Sequence, residues 1–372
     1  MNSKLAILGA SYLQRPLFEK AKEMGIETHC FAWEEGAVCK DISDYFYPIS
    51  VLDKDAILEV CSKVKIDGIT TIATDICIPT ISYVAEKLNL ISNSFESALI
   101  CTNKGEMRKA FQAYNINSPK FKITSQFESN FLDYFKYPVI VKPVDRSGSK
   151  GITKVLVENS VENAVSLSIK ESIIGGAIIE EFVDGVEVSV EAISWEGEHS
   201  ILTITDKITT NNPHFVELEH HQPSLLPIEI KESIIDLTIK SLNALQIKNG
   251  ASHSEFKVTN TGEIFVIEVG ARMGGDFIGS HLVKLSTGYD YVKGVIDIAL
   301  NRFTKPILDS QNRYYSGVYF LSKETERLLN YFECDKDYII ERNIMNTNLK
   351  FLKESNDRSG FIIYKSSKKI KL

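Results

Sequence analysis

The sequence is poor in the features that mark several protein classes. Its six cysteines, Cys30, Cys39, Cys61, Cys77, Cys101 and Cys334, include no C-x-x-C pair, so the common zinc-ribbon and dithiol redox motifs are missing. Scattered thiols of this kind are expected to be reduced and mostly buried. No apolar run approaches the roughly 20 residues that cross a bilayer. Met1 leads into Lys4-Leu-Ala-Ile-Leu-Gly9 without the basic region, apolar core and small-residue cleavage site of a secretory signal. A cytoplasmic protein with no membrane partner is the expectation. Positive charge is in deficit, 42 Lys and Arg against 49 Asp and Glu, and the formal net charge of -7 argues against a nucleic-acid partner. The basic run Lys365 to Lys371 is read as a solvated tail. Internal repeats and low-complexity segments are also lacking.

What remains is an ordinary globular composition, 44% apolar and 24% charged, over 372 residues, which suits two or three modules. Residues 1–95 alternate short apolar runs with amphipathic stretches, the pattern of a parallel sheet with crossover helices. Strands are expected at Lys4 to Ala10, Glu27 to Trp33 and Gly68 to Ala73, and helices at Leu13 to Met24, Asp55 to Val64 and Ile78 to Leu88. The first turn, Gly9-Ala-Ser11, holds one glycine of the G-x-G-x-x-G fingerprint, which argues against a dinucleotide; the turn suits a small substrate instead. Residues 96–302 read as an α+β domain, with a lid at about 118–185. Residues 303–372 read as a small C-terminal domain.

Three segments carry chemistry. In the first, Val139-Ile-Val-Lys-Pro-Val144 delivers Lys142 to a loop with Gly148, Ser149 and Gly151, and a second strand returns through Ile152 to Val157. Small residues allow backbone N–H groups to approach phosphate oxygens, and the lysine adds charge. The loop joins two strands, so it is no Walker A motif, and a plain β-hairpin fits these residues equally well. In the second, Ala177-Ile-Ile-Glu-Glu-Phe-Val183 ends an apolar strand on Glu180 and Glu181. Either this is a solvent-facing strand end, or the backbone at Glu181, Phe182 and Val183 pairs with an adenine edge while Glu187 accepts from ribose hydroxyls. In the third, strands on either side of Asn260-Thr-Gly262 form a hairpin that makes Glu255 and Glu268 cross-strand neighbours. Two such carboxylates call for a cation between them, and oxygen-only ligands suit Mg2+ or Mn2+. Arg272, before Gly274-Gly275, suits a phosphate or carboxylate.

Taken in order, Asn103-Lys-Gly-Glu-Met-Arg108, the VKP strand with its loop, EEFVDGVEVSVE, HSEF and IEVGAR resemble the ATP-grasp superfamily over about residues 1–300. The resemblance implies a parallel-sheet domain followed by an ATP-grasp domain and a small cap. It implies that Lys104 and Lys142 contact ATP phosphates, that Glu180, Glu181, Val183 and Glu187 hold adenine and ribose, and that Glu255 and Glu268 ligate magnesium. One departure is Gly270, where many members of the family have an asparagine that also holds metal. The form E-x-G-x-R-x-G-G is similar to the amino-acid ligases and related carboxylate-amine ligases, more than to biotin carboxylase or carbamoyl-phosphate synthetase. His253 and the His220-His221 pair are read either as hydrogen-bonded structural residues or, for His221 and His253, as substrate-facing ones.

The function so implied is activation of a small-molecule carboxylate as an acyl phosphate by MgATP, then capture by an amine, with Arg272 stabilising the tetrahedral intermediate. Three other readings stand beside it. They are a purine-pathway enzyme acting on a phosphoribosyl amine with bicarbonate or formate, a carboxylase or carbamoylating enzyme, and a non-catalytic ATP-binding module. The purine reading predicts a second phosphate site. A homodimer is the default for a soluble oligomer.

Overall fold

The computed structural model describes residues 2–128, 134–148, 150–210, 214–308 and 314–372. The N-terminal alternation of strand and helix builds a parallel sheet of β1 (Lys4–Leu8), β2 (Glu27–Phe31), β3 (Tyr45–Tyr47) and β4 (Gly68–Thr70), in the order β3-β2-β1-β4. Helix α1 (Arg15–Glu23) makes the crossover from β1 to β2 and α2 (Lys54–Val64) that from β3 to β4, and α3 (Ile78–Leu88) follows β4. Successive strand residues face opposite sides. Leu5 and Ile7 therefore join one buried cluster and Ala6 and Leu8 another, so both faces of the sheet are covered. The expected strand to Ala73 stops at Thr70, because Ala73 takes the left-handed conformation at φ 60° and turns the chain.

Two helices lead onward, α4 (Phe95–Thr102) and α5 (Lys104–Ala113). Asn103 ends the first and caps the second, its side chain accepting from the N–H groups of Gly105 and Glu106 at 2.9 and 3.2 Å. That cap fixes Lys104 and Arg108 on the first turns of α5. A four-stranded antiparallel sheet follows, made of β5 (Phe121–Thr124), β6 (Val139–Pro143), β7 (Thr153–Val155) and β8 (Ala177–Glu181), in the order β5-β8-β6-β7 and packed on α6 (Val161–Glu171).

The largest sheet has eight strands. Its members are β9 (Val186–Trp195), β10 (Glu198–Thr209), β11 (Glu217–Gln222), β12 (Gly250–Val258), β13 (Ile264–Gly270), β14 (Tyr315–Leu321), β15 (Ile339–Ile344) and β16 (Gly360–Ser366). They run in the order β13-β12-β9-β10-β11-β14-β16-β15. The last seventy residues thus extend the central sheet through the β11–β14 ladder. Helix α7 (Ile228–Ala244) covers part of one face. The segment after β13 carries α8 (Val283–Thr287) and α9 (Tyr291–Ala299), the latter packed on α1 and β4, and the short α10 (Leu329–Phe332) lies between β14 and β15. No helix among the described residues is long and apolar enough to cross a membrane.

Candidate active site

The polar face of the large sheet is an arithmetic consequence of strand register. On β9, Glu187, Ser189 and Glu191 are two residues apart and share a face. Opposite them on β12 stand Lys257, Glu255 and His253, in that order. On the other flank Lys207 of β10 faces Glu187, and on β13 Glu268 faces Glu255 while Gly270 faces His253. Charged and polar groups from four strands therefore meet on one surface. The small sheet lies over it, and the cleft between them is a cavity of about 230 Å³. Lys142 from β6, Gly148 from the loop, and Glu180, Glu181, Phe182 and Val183 from the end of β8 border this cavity. Lys104, Glu187, His253, Glu255, Glu268 and Arg272 border it from below.

Each acid already has a protein cation. Lys207 Nζ lies 2.8 Å from Glu187 and 2.6 Å from Glu255. Its pKa is raised well above the usual lysine value, since the burial that opposes the charge is outweighed by Glu187, Glu255 and Glu217. Burial would push the Glu255 carboxyl up, but Lys207 and His253 hold it well below its ordinary value. Lys104 Nζ donates to Glu268 at 2.9 Å and to the carbonyl of Arg146, in the loop after β6, at 2.6 Å. Glu180 is buried between Lys142, 2.7 Å away, and the fully buried Arg108, whose Nε is 2.7 Å from Oε1. That Arg108 contact is close but not aligned as a hydrogen bond, so it acts as a charge pair. Burial lowers the Lys142 pKa against the pull of Glu180. Glu180 therefore serves as the counter-ion of two cations under the cavity.

A second network ties the acids to the loop beyond β13. His253 Nδ1 pairs with Glu191, which is fully buried, and Nε2 lies 3.2 Å from Glu255. These carboxylates outweigh burial and raise the His253 pKa to about 9, so the ring is charged at neutral pH. Glu191 also accepts the Gly274 N–H at 2.9 Å. A Cβ at Gly274 would sit 2.7 Å from Glu191 Oε1 and 2.8 Å from His253 Nδ1, so a side chain there would displace this buried pair. Arg272 donates to Asp75, in the loop after β4, at 2.7 Å, and its Nε has no protein partner. The Ala73 N–H donates to the Met273 carbonyl at 3.3 Å, so this loop and the Arg272 segment are joined twice. Gly270 has its reason here as well: a Cβ there would meet Asp75 Oδ1 at 2.6 Å.

The donor set suits magnesium. Glu255 and Glu268 pair directly across β12 and β13, and among the described residues no group of three His, Cys, Asp or Glu side chains is placed to hold a metal. An ion that takes one or two carboxylates and completes its shell with phosphate oxygens and water fits two acids, whereas an all-protein cage does not.

Some expected residues lie elsewhere. His221 follows His220 on β11, so it faces the opposite side of the sheet, where Nδ1 is 2.9 Å from the Tyr364 hydroxyl and Nε2 is 3.0 Å from Glu219. It does not border the cavity. His220 is on the site's face of the sheet, opposite Lys207, and neither of its ring nitrogens has a protein partner. Gly151 shapes the loop at φ 71°, its Cβ position 2.9 Å from Pro143, without bordering the cavity. Ser149 lies outside the described residues. The N–H groups of Glu181 and Phe182 already donate to the carbonyls of Lys120 and Pro138, so neither is free for a base edge. The sequence reading missed Lys207, Glu217, Lys257 and Phe215, which border the cavity, and gave Arg108 no role beneath it. Phe215 is a bulky residue in the left-handed conformation at φ 51°, which is uncommon.

A family model described as an ATP-grasp domain matches residues 135–280. That match covers under half of the chain. It begins just before β6 and ends beyond Arg272, so it takes in Lys142, the Glu255/Glu268 pair and Arg272, while Asp75 and Lys104 come from outside it. Among curated relatives, alanine–anticapsin ligase of Bacillus subtilis is 26% identical over 295 residues, 70% of this chain and 62% of that protein. The chain thus spans under two thirds of that relative's length. The fold shared with solved structures extends over nearly the whole chain. L-amino acid ligase from Bacillus licheniformis superposes with a TM-score of 0.81 at 24% identity, covering 99% of this chain and 94% of that one. Phosphoribosylglycinamide synthetase from Anaerococcus prevotii gives 0.78 at 23% identity, covering 99% and 95%.

Proposed function

We propose that this ATP-grasp protein is a carboxylate-amine ligase that forms an acyl phosphate from ATP and a small carboxylate and couples it to an amine, releasing ADP and phosphate. The observation that carries the reading is the meeting of Lys104, Lys142, the Glu255/Glu268 pair and Arg272 in one cavity. The apolar wall of Ile140, Phe182, Phe215 and Ile267 suits an adenine, with the backbone at Val183 beside it and Glu187 on the ribose side. Glu255 and Glu268 would hold magnesium, which supplies charge neutralisation between phosphate oxygens.

The protein's own groups then have distinct tasks. Lys104 exchanges Glu268 for a phosphate oxygen, and Lys142, held by Glu180, places a second cation at the phosphates. Arg146, Ser147 and Gly148, at the cavity, fold over the triphosphate and exclude water from the acyl phosphate. A carboxylate oxygen attacks the γ-phosphorus and ADP leaves. The amine nitrogen then attacks the acyl carbon, the tetrahedral oxyanion forms beside Arg272, and phosphate departs. Asp75 fixes the Arg272 fork for that task, and His253 fixes Glu255.

We assign residues 1–95 to the pre-ATP-grasp domain, 96–302 to the ATP-grasp domain with its lid at about 118–185, and 303–372 to the C-terminal unit. The purine-type alternative draws on the likeness to phosphoribosylglycinamide synthetase. Glu268→Gln tests the catalytic reading. It is expected to retain nucleotide binding and to lose ADP release; turnover at the wild-type rate would remove Glu268 from the catalytic machinery, and undiminished biological activity without turnover would favour a binding module.

A further inference from the structure

A second cavity of about 230 Å³ opens where the parallel sheet ends. It lies at the carboxyl ends of β1, β2 and β4, bordered by Gly9, Ser11, Trp33 and Thr74. The strand order β3-β2-β1-β4 makes β1 the point where the connections reverse direction. Open α/β sheets bind ligands at such a crevice. Thr74 and Ile76 border both this cavity and a third, of about 220 Å³, which also touches Lys104, Arg146 and Glu268 of the nucleotide cavity. The three spaces therefore adjoin, and the Arg272–Asp75 pair stands beside the junction.

Its chemistry is unlike that of a phosphate site on two independent counts. No lysine, arginine or histidine borders it among the described residues, and its one charged side chain is Glu35. Most amides of its turn are also engaged within the protein, those of Ala10 and Tyr12 excepted. Gly9 N–H donates to Phe31, Ser11 N–H to the Gln14 side chain, Leu13 N–H to the Ser11 hydroxyl and Gln14 N–H to the Ser11 carbonyl. Arg15 N–H donates to Tyr12, and Pro16 has no N–H at all, so the start of α1 presents little to an anion. The buried Gln14 locks this arrangement by donating to the Ile72 carbonyl at 2.7 Å. The remaining lining, with Ala10, Ala32, Ala37, Val51 and Trp33, is apolar.

We propose that this cavity is the acceptor site, and that it takes an unphosphorylated amine with a small apolar body, its ammonium group toward Glu35. The proposal rests on the ligase reading for the fate of the amine, and it separates that reading from the purine-type alternative, whose substrate carries a phosphate. The ammonium gives one proton to solvent water before attack, and the neutral nitrogen reaches the acyl phosphate through the adjoining cavity, where the C–N bond forms as the C–O bond to phosphate breaks.

The test uses the full chain with isobutylamine and isopentylamine as apolar amines and phosphoserine and phosphoethanolamine as phosphorylated ones. Binding is read by ligand-observed NMR, and ADP release is followed with MgATP and a carboxylate panel. Ala37→Trp fills the cavity from a half-buried loop position, and Glu35→Lys inverts its charge at an exposed one. The apolar amines are expected to bind, with KM for the amine at least tenfold higher in A37W and at least threefold higher in E35K, and KM for ATP unchanged. Preference for the phosphorylated amines, or amine binding that neither variant alters, overturns the proposal. Amine binding lost in A37W without any ADP release would uphold the site and sink the ligase reading. ADP release driven by an amine that ignores both variants would do the reverse.

Discussion

Glu180 offers the sharpest test of how the site is supported, because the structure gives it a task other than touching the nucleotide. Arg108 is fully buried, Lys142 is 5% exposed and Glu180 is 3% exposed, so one carboxylate neutralises two cations removed from water. Glu180→Gln keeps the shape and removes that charge. Breaking a buried pair by deleting one partner costs about 3–5 kcal/mol, because the surviving charge is left uncompensated. With a urea slope of roughly 3 kcal/mol/M, the upper end of the usual range as befits a chain of this length, the unfolding midpoint should fall by about 1–2 M. Urea titration followed by the fluorescence of Trp195, at the end of β9, reads the change. The pH dependence has a fixed sign. Burial works against the charge, but Arg108 and Lys142 win and lower the Glu180 pKa from its ordinary 4.5. A lowered carboxyl stabilises the fold above its unfolded pKa and loses that contribution as pH falls through the folded value. The gap between wild type and E180Q should therefore be constant from pH 8 to 6 and should close below pH 4.5. A gap under about 1 kcal/mol at pH 7, the scale of an exposed ion pair, would refute the counter-ion role.

Three further outcomes follow from the same geometry. Lys207→Met removes the ammonium group bonded to Glu187 and Glu255, so Mn2+ should bind the nucleotide-free variant at least tenfold more tightly by calorimetry; weaker binding would show that the lysine organises the acids instead of competing for them. Gly270→Ala puts a Cβ 2.6 Å from Asp75 Oδ1, at a cost of about 1–3 kcal/mol in overpacking. Adding Asp75→Ala should recover part of that stability, and purely additive losses in thermal unfolding would count against the clash. His221→Ala should lower stability by about 1–3 kcal/mol, the cost of a buried polar group left unpaired, with KM for ATP unchanged, since the ring pairs with Tyr364 and Glu219 away from the cavity.

Local signals in the sequence carried the hairpins and caps well. The turn at Asn260-Thr-Gly262 placed Glu255 opposite Glu268, and the register shows that pairing. Asn103 is of the residue type that caps helices, and it caps α5. Single residues whose roles come from register between distant strands were not legible. Lys207 lies on a long strand with no glycine or motif near it, and only the pairing of β9 with β10 brings it to Glu187. The face of a histidine pair depends on strand phase, which two adjacent identical residues cannot reveal. Asp75 follows an irregular turn, and its contact with Arg272 spans 197 residues. The glycine at 270 looked like a missing ligand in the sequence; the structure gives it a steric reason.

The measurement closest to the central claim is a stoichiometric assay of ADP, phosphate and product mass with MgATP, a carboxylate and an amine, supplied singly and in pairs. One ADP and one phosphate per coupled product, with release in need of both substrates and lost in Glu268→Gln, is the predicted result. Tight ATP binding with no release under any pair would contradict the ligase account.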